Sequence, residues 1–169
     1  CRQYRERAVG EANEAAAPTV VDLFCGAGGL SAGFESAGYR TVLALDSDPV
    51  AAKTYQFNHP AVPEDRVLCQ DIRTLERGAL KKLVGRQRVD VLIGAPPCQG
   101  FSSAGLRSKK TLLRHSVTED ARNYLFEFMI GAAVELKPRL FLMENVPGMQ
   151  SAKQGSTSFL EQARDLLEE

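Results

Sequence analysis

The sequence has no excess of either charge, no long apolar run, no paired cysteines and only two histidines. Lysine plus arginine and aspartate plus glutamate each number 21, so the formal net charge is zero. That argues against an unstructured polybasic binder, while leaving room for a local basic face. No apolar run reaches the ~18 residues that mark a membrane-spanning helix. The charged N-terminus carries no apolar segment of signal-peptide length, so an intracellular protein of cytoplasm, nucleoid or nucleus is expected. Cys1, Cys25, Cys69 and Cys98 show neither CxxC nor Cys/His ligand spacing, which disfavours a metal site and fits a reducing compartment. Cys25 and Cys69 read as packing residues or site walls. His59 and His115 lie in polar, loop-like sequence and read as solvated surface residues rather than bases.

What is present is an ordinary globular composition: 44% hydrophobic and 25% charged residues over a length of 169, enough for one domain with a real core. Residues 1–18 are charged and alanine-rich and read as a lead-in; residues 19–169 read as one cofactor-binding and catalytic domain. Apolar β-branched runs predict strands near 19–24, 41–45, 66–69, 89–94 and 139–143. Helical stretches between them predict helices near 29–37, 49–57, 75–84 and 121–136, with a last one near 157–168. This alternation predicts an α/β fold with a doubly wound, mostly parallel sheet covered on both faces. Phe141-Leu142-Met143 is almost wholly apolar, as a strand buried on both faces would be, yet the simplest layout puts it at or near a sheet edge. An uncovered apolar edge is an aggregation liability, so the expectation is a fragment, or a unit completed by a second polypeptide.

Ligands of such sheets bind outside the carboxyl ends of the strands, and five strand ends here carry chemistry. The first runs from Val20-Val21-Asp22-Leu23-Phe24 into Cys25-Gly26-Ala27-Gly28-Gly29-Leu30. Glycines let backbone N–H groups approach a ligand, and the helix that follows adds a positive field; the plainer alternative is a simple strand-to-helix turn. The dinucleotide pattern Gly-x-Gly-x-x-Gly fails at Ser31, which disfavours a pyrophosphate dinucleotide. The second strand ends in Leu45-Asp46-Ser47-Asp48-Pro49, where a carboxylate suits the ribose hydroxyls of an adenosine-type ligand; Asp48 before Pro49 reads better as a helix cap. The third ends in Cys69-Gln70-Asp71-Ile72, an acceptor beside an apolar side chain, suited to an adenine amino group and ring face.

The fourth strand, Val89-Asp90-Val91-Leu92-Ile93, leads into Gly94-Ala95-Pro96-Pro97-Cys98-Gln99-Gly100-Phe101-Ser102. Two prolines exclude helix and force a stiff turn, so Cys98 stands at the ligand-binding end either as a nucleophile or as a small packing residue. The fifth ends in Met143-Glu144-Asn145-Val146-Pro147-Gly148. Glu144 there is either a proton donor whose pKa burial would raise or a capping or salt-bridged group. The long segment after Cys98 contains Arg107, Lys109, Lys110, Arg114 and His115: a loop that grips phosphates, or a solvated charged loop.

Asp22-Leu23-Phe24-Cys25-Gly26-Ala27-Gly28-Gly29, Pro96-Pro97-Cys98-Gln99-Gly100-Phe101-Ser102 and Glu144-Asn145-Val146 resemble the cofactor loop, nucleophile motif and acid motif of the cytosine-5 DNA methyltransferases. The resemblance covers roughly residues 19–150 and implies the Rossmann-like fold of S-adenosylmethionine-dependent methyltransferases, here truncated. It implies S-adenosylmethionine as cofactor, with Phe24, Asp71 and Ile72 at the adenine and Asp46 at the ribose. Gly26, Gly28, Gly29 and Leu30 would bracket the methionine part, and Pro96 would complete the site. Ser47 stands where the family often has an aromatic residue. Cys98 is implied as the nucleophile adding to carbon 6 of a cytosine flipped from double-stranded DNA, with Glu144 at ring nitrogen 3 and the amino group. Gln99, Ser102, Arg107, Lys109, Lys110 and Arg114 would contact DNA. The family's later motifs and target-recognition region are not found after Glu144-Asn145-Val146. A second expectation is therefore a cofactor-binding half or regulatory subunit that needs another chain. A relative acting on transfer RNA shares much of the motif set, but Gly100-Phe101-Ser102 is more like the DNA enzymes.

Overall fold

A computed structural model of the protein describes residues 17–97 and 124–145, together with 153–154, 157–158, 161 and 164–165. Five strands, β1 (Thr19–Leu23), β2 (Arg40–Asp46), β3 (Val67–Cys69), β4 (Val91–Gly94) and β5 (Leu140–Met143), form one sheet in the order β3-β2-β1-β4-β5. Every pairing in it is parallel. The helices are α1 (Gly29–Ser36), α2 (Pro49–Asn58), α3 (Ala79–Val84) and α4 (Leu125–Leu136), with 3₁₀ turns at Glu64–Arg66 and Ile72–Thr74. Lys153–Gln154 and Thr157–Ser158 pair as a small antiparallel ribbon, β6 and β7.

Because successive side chains of a strand face opposite ways, β1 supplies both halves of the core. Val21 and Leu23 pack with Leu43, Leu45, Leu92, Leu80, Val84 and Met129 on the α3/α4 side. Val20 packs with Val91, Ile93, Leu30 and Phe34 on the α1 side. All five residues of β1 are buried, the signature of a central strand covered on both faces. Strand order reverses between β1 and β4, and that switch point is where open α/β sheets receive ligands.

The α/β architecture and the strand positions agree with the sequence, and the differences have physical causes. β4 begins at Val91 rather than Val89, because Asp90 turns its N–H to the Thr19 carbonyl and its carboxylate to the Thr19 N–H. The helix expected over 75–84 is shorter: a 3₁₀ turn capped by Asp71 takes Ile72–Thr74, and α3 starts after Gly78. In the last predicted helix Thr157–Ser158 is strand, while Glu161, Arg164 and Asp165 are helical. β5 is an edge of the sheet, as the simplest layout predicted, but it is not buried on both faces. Leu140 is 50% and Leu142 41% exposed, while Phe141 and Met143 pack on the core.

Candidate cofactor and catalytic site

The ends of β1, β2 and β3 converge on one small cavity of about 150 Å³ lined by Phe24, Leu45, Ser47, Gln70, Asp71, Ile72, Arg73, Pro97 and Leu125. Whole-ligand pockets run to roughly 300–1,000 Å³, so this one suits a single ring system. Phe24 leaves β1 with φ 59°, a left-handed conformation uncommon for non-glycine residues and most often met at functional sites. Ile72 is buried beside it.

Asp71 caps the Ile72–Thr74 turn by accepting the Arg73 N–H at 2.9 Å and also pairs with the Arg73 guanidinium. Those side-chain and backbone hydrogen bonds hold its carboxyl below the ordinary carboxylate range, so it stays an acceptor. Asp48 is the N-cap of α2, accepting the Val50 N–H at 2.8 Å with Pro49 in the first turn, which is the capping role read from the sequence.

The glycine turn sits above the same strand ends. Asp46 Oδ2 accepts the Gly26 N–H at 2.8 Å and Oδ1 accepts the Asp48 N–H at 2.9 Å, so one carboxylate ties the β1 loop to the β2 loop. Gly28, at φ 91°, is the N-cap of α1 and Gly29 its first residue. The first N–H groups of a helix have no partner within it; that of Ser31 turns to the Asp22 carboxylate, leaving those of Gly29 and Leu30 for other acceptors. Leu30's side chain packs on the core, so only its backbone can serve a ligand.

Two sequence readings are corrected here. His59 is not a solvated residue: it is 3% exposed, because it caps the end of α2 and turns its ring inward onto Tyr55, with centroids 4.2 Å apart. Its Nδ1 lies 2.8 Å from Glu35 Oε2 and its Nε2 3.1 Å from the Gly28 carbonyl. Glu144 is exposed rather than buried. Its N–H donates to the Gly94 carbonyl at 2.9 Å, which sets it beside the turn leading through Pro96 and Pro97 to Cys98.

Pro97 lines the cavity, whereas Pro96 is buried behind it. Cys98, Gln99, Ser102, Arg107, Lys109, Lys110, Arg114 and His115 lie outside the described residues. Cys25 is buried with Ala44, Tyr55 and Val62, and burial, with Asp22 and Asp46 nearby, pushes its thiol far up; it is a packing group, as expected. Cys69 is exposed at the end of β3, beside Asp46 of β2.

Asp22 went unremarked as a functional residue. It is 1% exposed in the middle of β1, with Oδ2 accepting from Ser31 Oγ at 2.6 Å and Oδ1 without a partner among the described residues. Burial outweighs that hydrogen bond and the nearby His59, and its pKa is raised to about 7. Tyr55 in turn donates to Ser31 Oγ at 2.7 Å. A lone acid inside an otherwise apolar central strand was the available signal.

The sequence profile of the C-5 cytosine-specific DNA methylases matches residues 18–169. The chain belongs to that family. It is 41% identical over 150 residues to the type II methyltransferase M.DdeI of Desulfomicrobium norvegicum, covering 89% of this chain and 32% of the relative. It is 38% identical over 139 residues to M1.HphI of Haemophilus parahaemolyticus, covering 82% and 35%. The chain thus spans about a third of the length of these relatives. Among solved structures, it resembles a DNA modification methyltransferase encoded within an E. coli prophage (TM-score 0.68, 32% identity, 90% of this chain and 38% of that one). The S. pombe Dnmt2 methyltransferase, at TM-score 0.60 and 22% identity over 90% of this chain and 40% of that one, shares the fold. The fold is therefore that of the S-adenosylmethionine-dependent methyltransferases, as the sequence motifs implied.

Proposed function

We propose that this chain is the cofactor-binding and nucleophile-bearing part of an enzyme that methylates carbon 5 of cytosine in double-stranded DNA. Membership of the C-5 cytosine-specific DNA methylase family carries the reading, and the cavity supports it. Phe24 and Ile72 offer apolar faces and Asp71 an acceptor, the combination that suits an adenine ring and the N–H groups its amino nitrogen donates. Asp46 would meet the ribose, Ser47 would stand near the adenine, and the turn through Gly26, Gly28, Gly29 and Leu30 would bracket the methionine part, with the Gly29 and Leu30 N–H groups as donors and Pro96 backing the site. S-adenosylmethionine bound there supplies an electrophilic methyl group.

Carbon 5 of cytosine is a weak nucleophile, so the chemistry needs an activating addition. The Cys98 thiolate adds to carbon 6, and the electron pair of the 5,6 double bond moves into the ring. Glu144 contacts ring nitrogen 3 and the amino group, where the developing charge is stabilised. Carbon 5 would take the methyl group as its bond to the cofactor's sulfonium sulfur breaks, leaving a neutral thioether; a base would then remove the carbon 5 proton, its C–H electron pair re-forming the 5,6 double bond and expelling Cys98 as thiolate. The exposure of Glu144 fits a group that is desolvated only when a flipped base covers it. Gln99, Ser102, Arg107, Lys109, Lys110 and Arg114 would hold the opened duplex. Such an enzyme works inside the cell, where its DNA is.

A second reading, a cofactor-binding half that needs another polypeptide, is favoured by one observation. Edge strand β5 exposes Leu140 and Leu142 on one face, as a sheet face covered by a further segment or a second polypeptide would. The deciding experiment is transfer of a labelled methyl group to cytosine-containing DNA. Cys98→Ser should abolish it while leaving cofactor affinity near wild type, and undiminished transfer by that variant overturns the mechanism. Activity restored only by adding a co-purifying chain would select the second reading.

A further inference from the structure

The C-terminal end of α2 grips the glycine turn through two consecutive residues. Asn58 Nδ2 donates to the Ala27 carbonyl at 2.8 Å, and His59 Nε2 lies 3.1 Å from the next carbonyl, that of Gly28. A trans peptide points its C=O and the following N–H in opposite directions. Holding the Gly28 carbonyl against His59 therefore turns the Gly29 N–H away from α2. The hold is close: a Cβ built on Gly28 would lie 1.9 Å from His59 Nε2.

The other side of the ring is fixed as firmly. Nδ1 meets Glu35 Oε2 at 2.8 Å, and Glu35 is itself held by Thr41, whose hydroxyl donates to Oε1 at 2.8 Å. Both ring nitrogens thus face acceptors, one a carboxylate and one a carbonyl. A neutral imidazole has a single N–H and satisfies only one of them; the imidazolium satisfies both.

We propose that His59 is a positioning residue for cofactor binding, a protonated latch between Glu35 and the Gly28 carbonyl that keeps the glycine turn in its ligand-ready conformation. The proposal rests on the reading that this turn holds S-adenosylmethionine. The groups that face the ring are Glu35 from α1, Asp22 from β1, and Tyr55 on its own helix, with the Cys25 thiol packed beyond Tyr55. Burial by itself pulls the His59 pKa down, but the Glu35 hydrogen bond and charge, the Gly28 carbonyl and Asp22 together raise it above 6.5. The latch is therefore closed below that raised value and opens as pH rises through it. Loss of the proton leaves either a lone pair facing Glu35 or the Gly28 carbonyl held by the Ala32 N–H of α1 alone, at 2.9 Å.

The test is cofactor affinity of the intact protein by calorimetry between pH 6 and 9.5, for wild type, His59→Gln and Glu35→Gln. The cofactor's own amine also titrates here, near an ordinary α-amino pKa of about 7.7–8.0, so the informative quantity is the difference between proteins. Wild type should lose affinity on the order of tenfold more than His59→Gln across the range, the worth of one charge-assisted hydrogen bond. His59→Gln, which keeps an amide donor for Gly28 but cannot titrate, should show only the ligand's own dependence. Glu35→Gln should move the protein's step to lower pH, and it keeps the test alive if His59→Gln fails to fold. Superimposable pH profiles for all three proteins overturn the latch while leaving cofactor binding intact. No binding by wild type at any pH overturns the cofactor reading, and the latch with it.

Discussion

Asp46 and Gly26, twenty residues apart in sequence, are joined by a 2.8 Å hydrogen bond from the glycine N–H to the carboxylate. The same carboxylate takes the Asp48 N–H at 2.9 Å, so a residue placed for a ribose also braces the turn that would cradle the rest of the ligand. Each carboxylate oxygen has two lone pairs, and one on each remains for hydroxyl groups.

Asp46→Ala should therefore lower stability as well as affinity. Two charge-assisted acceptors are lost, and a cost of about 2–4 kcal/mol is expected from bonds to a charged group at a partly exposed site. Asp46→Asn is not a mild change, since its amide N–H₂ must face one of the two backbone donors. Urea unfolding of both variants checks this. Wild-type midpoints with only affinity reduced would confine Asp46 to the ligand.

Much of this arrangement is legible in the sequence because it is local. The run from Val20 through Leu30 specifies strand, turn and helix in order, and Asp48-Pro49 announces the start of α2 through cap chemistry. The cavity residues Phe24, Asp71 and Ile72 follow from their places at strand ends. The misreadings concern groups whose environment is made by distant segments. His59 sits in Asn58-His59-Pro60, a polar stretch, and is buried only because α1 and the glycine turn close over it. Glu144 ends an apolar strand, yet β5 is an edge strand and turns Leu142 and Glu144 outward. Neither outcome is encoded within a few residues of the position concerned.

Asp22 and His59 predict a stability that falls as pH rises, in two successive windows. Asp22 has a folded pKa of about 7 against an ordinary 3.8. Between those values the folded chain holds a proton that the unfolded chain has released, and each unit contributes up to about 1.4 kcal/mol. His59, its pKa raised above 6.5, adds stability that is complete below 6.5 and lost as pH climbs through the folded value. Unfolding free energies measured from pH 4 to 9 should decline throughout. Asp22→Asn should flatten the acidic half and keep the alkaline decline, moved to somewhat lower pH because Asp22 is one of the charges that raise His59; an unchanged slope between pH 4 and 7 would mean that Asp22 is not the group responsible.

Gly94, the last residue of β4, admits no side chain. A Cβ there would lie 2.4 Å from the Leu23 carbonyl oxygen and 2.7 Å from the Met129 side chain. Met129 can move, but the Leu23 carbonyl belongs to the central strand and cannot. Gly94→Ala should cost about 3 kcal/mol or more, within the range for overpacking a core, and should remain destabilising when combined with Met129→Ala. Full rescue by Met129→Ala would show that the side chain, not the strand, sets the limit.

Gly28 carries two separate penalties against any side chain, and a double-mutant cycle separates them. Its φ of 91° is strained for an L-residue whatever the space around it, and a Cβ would also lie 1.9 Å from His59 Nε2 and 3.0 Å from Tyr55 Cδ2. Gly28→Ala alone should destabilise through both. His59→Ala alone opens a void beneath the turn and removes the Glu35 and Gly28 contacts. The double variant should then be more stable than the sum of the two losses by about 1–2 kcal/mol, because the void accepts the new methyl group. About 1 kcal/mol of the Gly28→Ala cost should persist from backbone conformation alone. Strict additivity in chemical denaturation would mean that His59 and Gly28 are not in contact in solution, and the latch would have nothing to hold.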